Sequence, residues 1–280
     1  MMKINFYNVE HGSCTHIITP NGKHILIDVG SRESKSIVSH LKNTYFRYNY
    51  YGQIDLLIIT HPHEDHIYDL PALYKNLKPK VLCRPSDAFD IVPSKDTLFH
   101  REIANCANKM NNEYNGDVFE SPLDPSNNGG VEIEIISPSF SETTKDDLNT
   151  FSNIIVVKYE DYKFILTGDN PKSILQKIMD RNKDDIRQKI AYSTVLLAPH
   201  HGRTGEFCED FFKCINPCLT VVSDKSVVHT TQEETSNVYK GRGAELYGKN
   251  RYVLTTRNDG TITFEVVKNS CTVFMNTEGY

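Results

Sequence analysis

The 280-residue chain reads as an α/β protein in which two mixed sheets pack face to face with helices outside. Three observations predict this. The runs 56–59, 154–157 and 195–198 are short and wholly apolar, as suits strands covered on both faces. Each half opens with strands and continues with strand–loop–helix units. No Ser- or Pro-rich linker separates the halves, so one domain over residues 1–280 is expected.

The elements follow in order. Residues 3–7 alternate as a strand and 13–18 form a second. Asn21-Gly22 is a hairpin signal before a third strand at 24–29. Ile37, Val38, Leu41, Tyr45 and Tyr48 place a helical stripe on 33–48. IDLLIIT (54–60) is a buried strand, 61–66 its C-terminal loop, and 67–77 a helix. A strand at 80–84 and a helix at 97–111 come next. The turn-rich loop 121–130 leads to a strand at 131–136 and a polar loop at 137–149. Strands at 153–158 and 162–166 are joined at Glu160-Asp161. Pro171 opens a helix that runs to about Ile190. A strand at 194–198 ends at Pro199-His200-His201-Gly202, before a helix at 205–215 and a strand at 219–222. Strands at 251–256 and 261–267 flank Asn258-Asp259-Gly260, a hairpin turn.

Composition excludes several classes. With 39% hydrophobic and 24% charged residues and a mean hydropathy of −0.45, the chain is globular and not intrinsically disordered. Thirty-one basic against 36 acidic residues leave a formal charge of −5, so bulk electrostatics cannot hold nucleic acid. Residues 1–19 alternate and carry Glu10 and His11, which is no secretory signal. No apolar run reaches the roughly 18–20 residues of a membrane span. The cysteines at 14, 83, 106, 208, 214, 218 and 271 are odd in number and contain no C-x-x-C. Free thiols and a cytoplasmic location are expected. The spacing of Cys208, Cys214 and Cys218 is not that of a zinc knuckle, so these read as small buried hydrophobes.

The chemistry concentrates in three strand-end loops, the position where open α/β sheets hold ligands. His61-Pro62-His63-Glu64-Asp65-His66 places three of eleven histidines in six positions. Imidazole and carboxylate are the donor set of zinc, manganese or iron. In an extended turn His61 and His63 share a side and can bind one ion, while Asp65 and His66 can face a second. Thr167-Gly168-Asp169 ends another strand with a carboxylate; taken alone, Asp169 reads more readily as the N-cap of the next helix. His200 and His201 could, by themselves, belong to a surface loop. Together and in this order the three loops point to a metal centre.

The pattern H-x-H-x-D-H, then T-G-D, then a final histidine resembles the metallo-β-lactamase superfamily of binuclear metallohydrolases. Within it, the chain is most similar to the hydrolase domain of the ComEC competence proteins and their free-standing relatives. The residues that carry this are Asn8-Val9-Glu10-His11-Gly12, residues 25–30 (ILIDVG), residues 54–63, Asn149 to Ser152, Pro199-His200-His201-Gly202 and 257–261. The resemblance implies a four-layer αβ/βα sandwich with two divalent metal ions, zinc or manganese, along one edge. It implies that His61 and His63 bind the first ion, Asp65 and His66 the second, and that Asp169 bridges them. His200 would complete the second site, with His201 the alternative for that role or a proton donor. The separate histidine that many members carry between the first motif and the bridging Asp is missing. His100, the sole histidine in that interval, reads as structural.

The expected function is therefore metal-dependent hydrolysis. A bound divalent metal lowers the pKa of water toward about 7, and two ions can hold the attacking and leaving oxygens of a phosphoryl displacement. Asp65 can orient the nucleophile as well as bind metal. Arg203, Lys225 and His229 lie in strand-end loops and could contact phosphate; each could equally be a solvated surface group. The leading expectation is a phosphodiesterase acting on a nucleic acid or nucleotide substrate, with no membrane partner. The alternatives are a hydrolase of a lactam, thioester or lactone, and a metal-stabilised binding module.

Overall fold

The computed structural model describes every residue except 33, 49–51, 93–96, 182, 226–233 and 278–280. The chain opens with β1 (Met2–Phe6), β2 (Thr15–Ile18) and β3 (His24–Ile27). Helix α1 (Ile37–Tyr45) follows, its N-terminus capped by Ser36, whose hydroxyl accepts the Ser39 N–H. Then come β4 (Leu56–Ile58), the single turn α2 (Glu64–Ile67), α3 (Leu70–Asn76), β5 (Val81–Cys83), α4 (Ser86–Phe89) and α5 (Leu98–Glu113). The second half begins with β6 (Glu132–Ile136), β7 (Ile154–Tyr159) and β8 (Tyr162–Leu166). It continues through α6 (Lys172–Arg181), α7 (Lys183–Ile190), β9 (Val195–Leu197), α8 (Glu209–Ile215) and β10 (Leu219–Val222). The turn α9 (Thr235–Val238), the small hairpin β11 (Ala244–Leu246) and β12 (Lys249–Arg251), and β13 (Val253–Thr255) precede a last turn, α10 (Thr256–Asp259). Strands β14 (Thr261–Val267) and β15 (Ser270–Asn276) complete the described chain.

Two sheets result. One has the order β15-β14-β1-β2-β3-β4-β5 and the other β13-β10-β9-β8-β7-β6. Strands β3, β4 and β5 run parallel, as do β8, β9, β10 and β13. Alternation within the apolar strands builds four layers. Ile25, Ile27, Leu56 and Ile58 face Ile155, Val157, Phe164, Leu166, Val195 and Leu197 between the sheets. Leu26 and Leu57 point the other way, onto Ile37 and Leu41 of α1, Leu73 of α3 and Ile103 and Met110 of α5. Val156, Ile165 and Leu196 pack on Ile174 and Ile178 of α6 and Phe211 and Ile215 of α8. Each all-apolar run thus serves two cores at once. This is the αβ/βα sandwich expected of the sequence.

Three expectations need correction. Residues 61–66 are not all loop, because Glu64 to His66 already belong to α2, where Glu64 and Asp65 sit at the helix N-terminus. The segment from Pro171 to Ile190 holds two helices, α6 and α7, and not one. Asn258-Asp259-Gly260 does not close a hairpin: β13 pairs with β10 in one sheet and β14 with β1 in the other. The helical turn α10 carries the chain between sheets, held by the Asp259 carboxylate, which accepts from Thr255 N at 2.8 Å and pairs with Arg251. Gly260 is required there, since a Cβ would fall onto the Asn276 carbonyl.

Candidate metal centre

The parallel strands of both sheets deliver their C-terminal loops to one edge. Asp28 follows β3, His61 to His66 follow β4, Asp169 follows β8, His200 and His201 follow β9, and Ser223 to Lys225 follow β10. Donor atoms of Asp65, His66, Asp169 and His201 come together there, all within 4.8 Å of one another. His201 Nε2 lies 3.0 Å from Asp65 Oδ2 and 3.5 Å from Asp169 Oδ2. His66 Nε2 lies 3.1 Å from Asp169 Oδ1 and 4.0 Å from Asp65 Oδ2. Beside this group, His61 Nε2 and His63 Nδ1 approach to 3.2 Å.

Buried neighbours orient the two imidazoles of the main group. Asp28 can only accept, so His66 donates its Nδ1–H to Asp28 Oδ2 at 2.8 Å. His201 likewise donates Nδ1–H to the Ser223 carbonyl at 2.7 Å. Both rings therefore aim Nε2 at the carboxylates, with His201 Nε2–H donating to Asp65 Oδ2 at 3.0 Å; metal-ligating histidines are oriented through their other nitrogen in the same way. His66 Nε2 is buried and makes no hydrogen bond. An orphaned buried nitrogen among carboxylates, with a His/Asp donor set, fits a divalent metal. Asp28 itself adopts a positive φ of 59° and is held by Thr60, whose N–H and Oγ1 donate to its two oxygens at 2.7 and 2.8 Å.

The backbone explains the flanking glycines. Asp65 presents its carbonyl to Ser13 N at 3.2 Å. A Cβ on Gly12 or Gly30 would stand 2.6 or 2.2 Å from that oxygen. Gly168 has φ +53°, and a Cβ there would meet Thr60 Cβ at 2.9 Å. Asp169 then bonds through its N–H to Ser152 Oγ at 3.2 Å. It is not a helix cap, because Pro171 supplies the carbonyl that accepts from Ile174 and Leu175.

Electrostatics tie the group together. Burial opposes charge on His66, yet Asp169, Asp28 and Asp65 outweigh it and raise its pKa well above the ordinary value. Burial also opposes charge on Asp169 and Asp65; His66 and His201 overcome it and hold both carboxyls below the usual range. His61 is pushed well down by burial, and then by His66.

The sequence reading placed His200 first as ligand and kept His201 as the alternative. The structure brings His201 into the group of four. His200 Nε2 stands 3.8 Å from Asp169 Oδ2, its buried Nδ1 makes no hydrogen bond and lies 3.8 Å from Glu206 Oε1, and its pKa is lowered by burial. Both histidines have positive φ, 47° and 54°, so the tight turn sends them in different directions. Arg203 and Lys225 line one cavity of about 510 Å³ with His63, Asp65, Asp169 and His200. Lys225 Nζ also pairs with Glu10 Oε2 at 3.0 Å. His229 lies outside the described residues. His100 sits on α5, away from the four, and its Nδ1 is 2.8 Å from Glu64 Oε2.

Sequence reasoning gave no role to two residues here. Asp28 ends an apolar strand just before Val29-Gly30, and its signals were that placement and its membership of the ILIDVG segment. His11 lines the cavity, 4.4 Å from His201 between ring centroids and 3.8 Å from Asp65 Oδ2. Burial, then His201, lowers its pKa to about 4.

Fold and donor set together define a layered α/β protein with a candidate metal centre. The chain belongs to the metallo-beta-lactamase superfamily, whose family model matches residues 8–170. A metal-dependent hydrolase of Koribacter versatilis (strain Ellin345) is 35% identical over 72 residues, which are 25% of this chain. The match spans 27% of that relative's length. Zn(2+)-bound PqqB from Methylobacterium extorquens shares the fold at a TM-score of 0.52 and 10% identity, covering 95% of this chain and 100% of that one. CmlA, a diiron β-hydroxylase from Streptomyces venezuelae, does so at 0.51 and 13%, covering 95% of this chain and 54% of its own. The fold thus carries both zinc and diiron centres, and residues at the site must decide the reaction. Among the described residues no helix is long and apolar enough to cross a membrane.

Proposed function

We propose that this protein is a metal-dependent phosphodiesterase that uses two divalent ions, zinc or manganese, and acts on a nucleic acid or nucleotide. One observation carries the reading: the donors divide into two adjacent sets. His61 and His63 form one pair, and Asp65, His66 and His201 gather with Asp169 in the other. In this assignment Asp169 would bridge, His201 would take the ligand role first given to His200, and His200 would face the cavity as a polar contact for substrate. Bound there, divalent metal supplies Lewis acidity, which lowers the pKa of water and neutralises charge building on a substrate oxygen. Asp28 and the Ser223 carbonyl keep His66 and His201 in the ligand tautomer. Arg203 and Lys225 offer positive charge to a phosphate at the cavity wall, Lys225 exchanging Glu10 for it. The ComEC-like segments favour DNA among phosphodiester substrates.

Both sheets contribute to the centre, which supports residues 1–280 acting as one hydrolase domain. Seven cysteines with no disulfide among the described residues support a cytoplasmic location.

The test is a substrate panel with manganese or zinc: bis(p-nitrophenyl) phosphate, single-stranded DNA and nitrocefin. Metal-dependent cleavage of the first two is expected, with two equivalents of metal per chain by elemental analysis. Nitrocefin turnover without phosphodiester cleavage overturns the reading in favour of a carbonyl substrate. Nucleic-acid binding with no turnover under any metal overturns it in favour of a binding module.

A further inference from the structure

A second cavity, of about 240 Å³, opens directly beside the metal edge between α2 and α5. Its walls are largely aliphatic: Pro62, Ile67, Val92, Ile103 and Ala104. Ile67, Ile103 and Ala104 are buried side chains of the two helices. Polar groups enter through His63, Glu64 and His100. His63 and Glu64 also line the larger cavity, so the two spaces share a rim at the H-x-H-x-D-H loop. The Glu64 carboxylate is held by His100 at 2.8 Å, which anchors α2 to α5 at that rim. This gives His100 a use other than metal binding.

We propose that this cavity is a substrate subsite that takes an aromatic ring attached to the group bound at the metal edge. Three features argue for it. The space has the right size, since an apolar cavity of about 150 Å³ already admits benzene. Its chemistry is that of a ligand pocket: apolar walls with a few polar groups at one side to set orientation. It shares His63, a ligand candidate, and Glu64 with the cleft at the metal edge, so a ring in the pocket and an anion at the metal can belong to one molecule. Ala104 is the specificity-determining position, because a bulky side chain there would occupy much of the pocket.

The inference rests on the phosphodiesterase reading in one respect, that the ring is carried by a phosphorus centre. Binding of phosphonates to the zinc-loaded protein tests it apart from turnover. Phenylphosphonate should bind at least about tenfold more tightly than methylphosphonate by calorimetry, from burial of the ring. Ala104→Phe should bring the two affinities to within about twofold. Equal affinities in the wild type, or no binding of either, overturn the subsite. Cleavage of bis(p-nitrophenyl) phosphate by the same preparation reports on the phosphodiesterase reading separately. Should Ala104→Phe fail to fold, the wild-type ratio still decides, and cyclohexylphosphonate matching phenylphosphonate would overturn the preference for an aromatic ring.

Discussion

Asp28 acts on the candidate centre through His66. Replacing it by Asn keeps the volume and the tolerance of positive φ but weakens the acceptor for Nδ1–H. Asp28→Asn should lower metal affinity about 10- to 100-fold, read by competition with a chromogenic chelator. Asp169→Ala should leave a folded protein, by circular dichroism, and reduce turnover by more than about a hundredfold. Gly30→Ala presses a methyl group onto the Asp65 carbonyl. It should cost about 1–3 kcal/mol in urea unfolding and displace Asp65 enough to impair metal binding. The H-x-H-x-D-H cluster was legible in the sequence because ligand density in six positions is itself a signal. Which of His200 and His201 joins Asp65, His66 and Asp169 was not, since two left-handed residues in succession set it and neighbouring identities do not report φ. Asp28 and His11 reach the site by folding from more than thirty residues away from Asp65, a separation that composition does not encode.

Elements show the same division. Strands covered on both faces were legible because their apolar runs leave no alternative. β15 went unread: Cys271, Val273 and Met275 alternate inward on this edge strand, but only Val273 is fully buried and the exposed Phe274 blurs the pattern. The turn α10 has the residues of a hairpin, and only pairing with distant strands distinguishes a crossing between sheets. One further cluster lies where β2, β3 and α1 meet. His16 Nε2 approaches His24 Nδ1 at 2.9 Å, and His40 packs on Tyr7. Burial lowers the pKa of all three histidines, with further lowering of His16 by His24 and His40. Unfolded, each titrates near 6.5, so below that pH the unfolded chain holds more protons than the folded one. Stability present above about pH 6.5 is lost as pH falls toward the depressed folded values. The urea midpoint should therefore drop between about pH 7.5 and about pH 5.5, and His16→Gln should drop less over that interval.

At the scale of the molecule, the centre joins the two sheets, with Asp65 and His66 from one and Asp169 and His201 from the other. Metal held at a thousand times its Kd adds about 4 kcal/mol to stability. Chelation should then lower Tm by roughly 10 °C in differential scanning calorimetry, with recovery on adding zinc. The four-layer arrangement was legible as a pattern of strand-loop-helix units, whereas the order of strands was not, because β1 finds β14 across almost the entire chain. That pairing bears on how the protein is made. Met2 lies opposite Val266, so one flank of the first strand stays without its neighbour until translation has reached that residue. A ribosome that stalls before then presents a naked strand edge to its surroundings, and such edges recruit other chains. Synthesis is therefore the period when this protein has most need of a holdase chaperone, and a 5′ half expressed alone should aggregate and not refold.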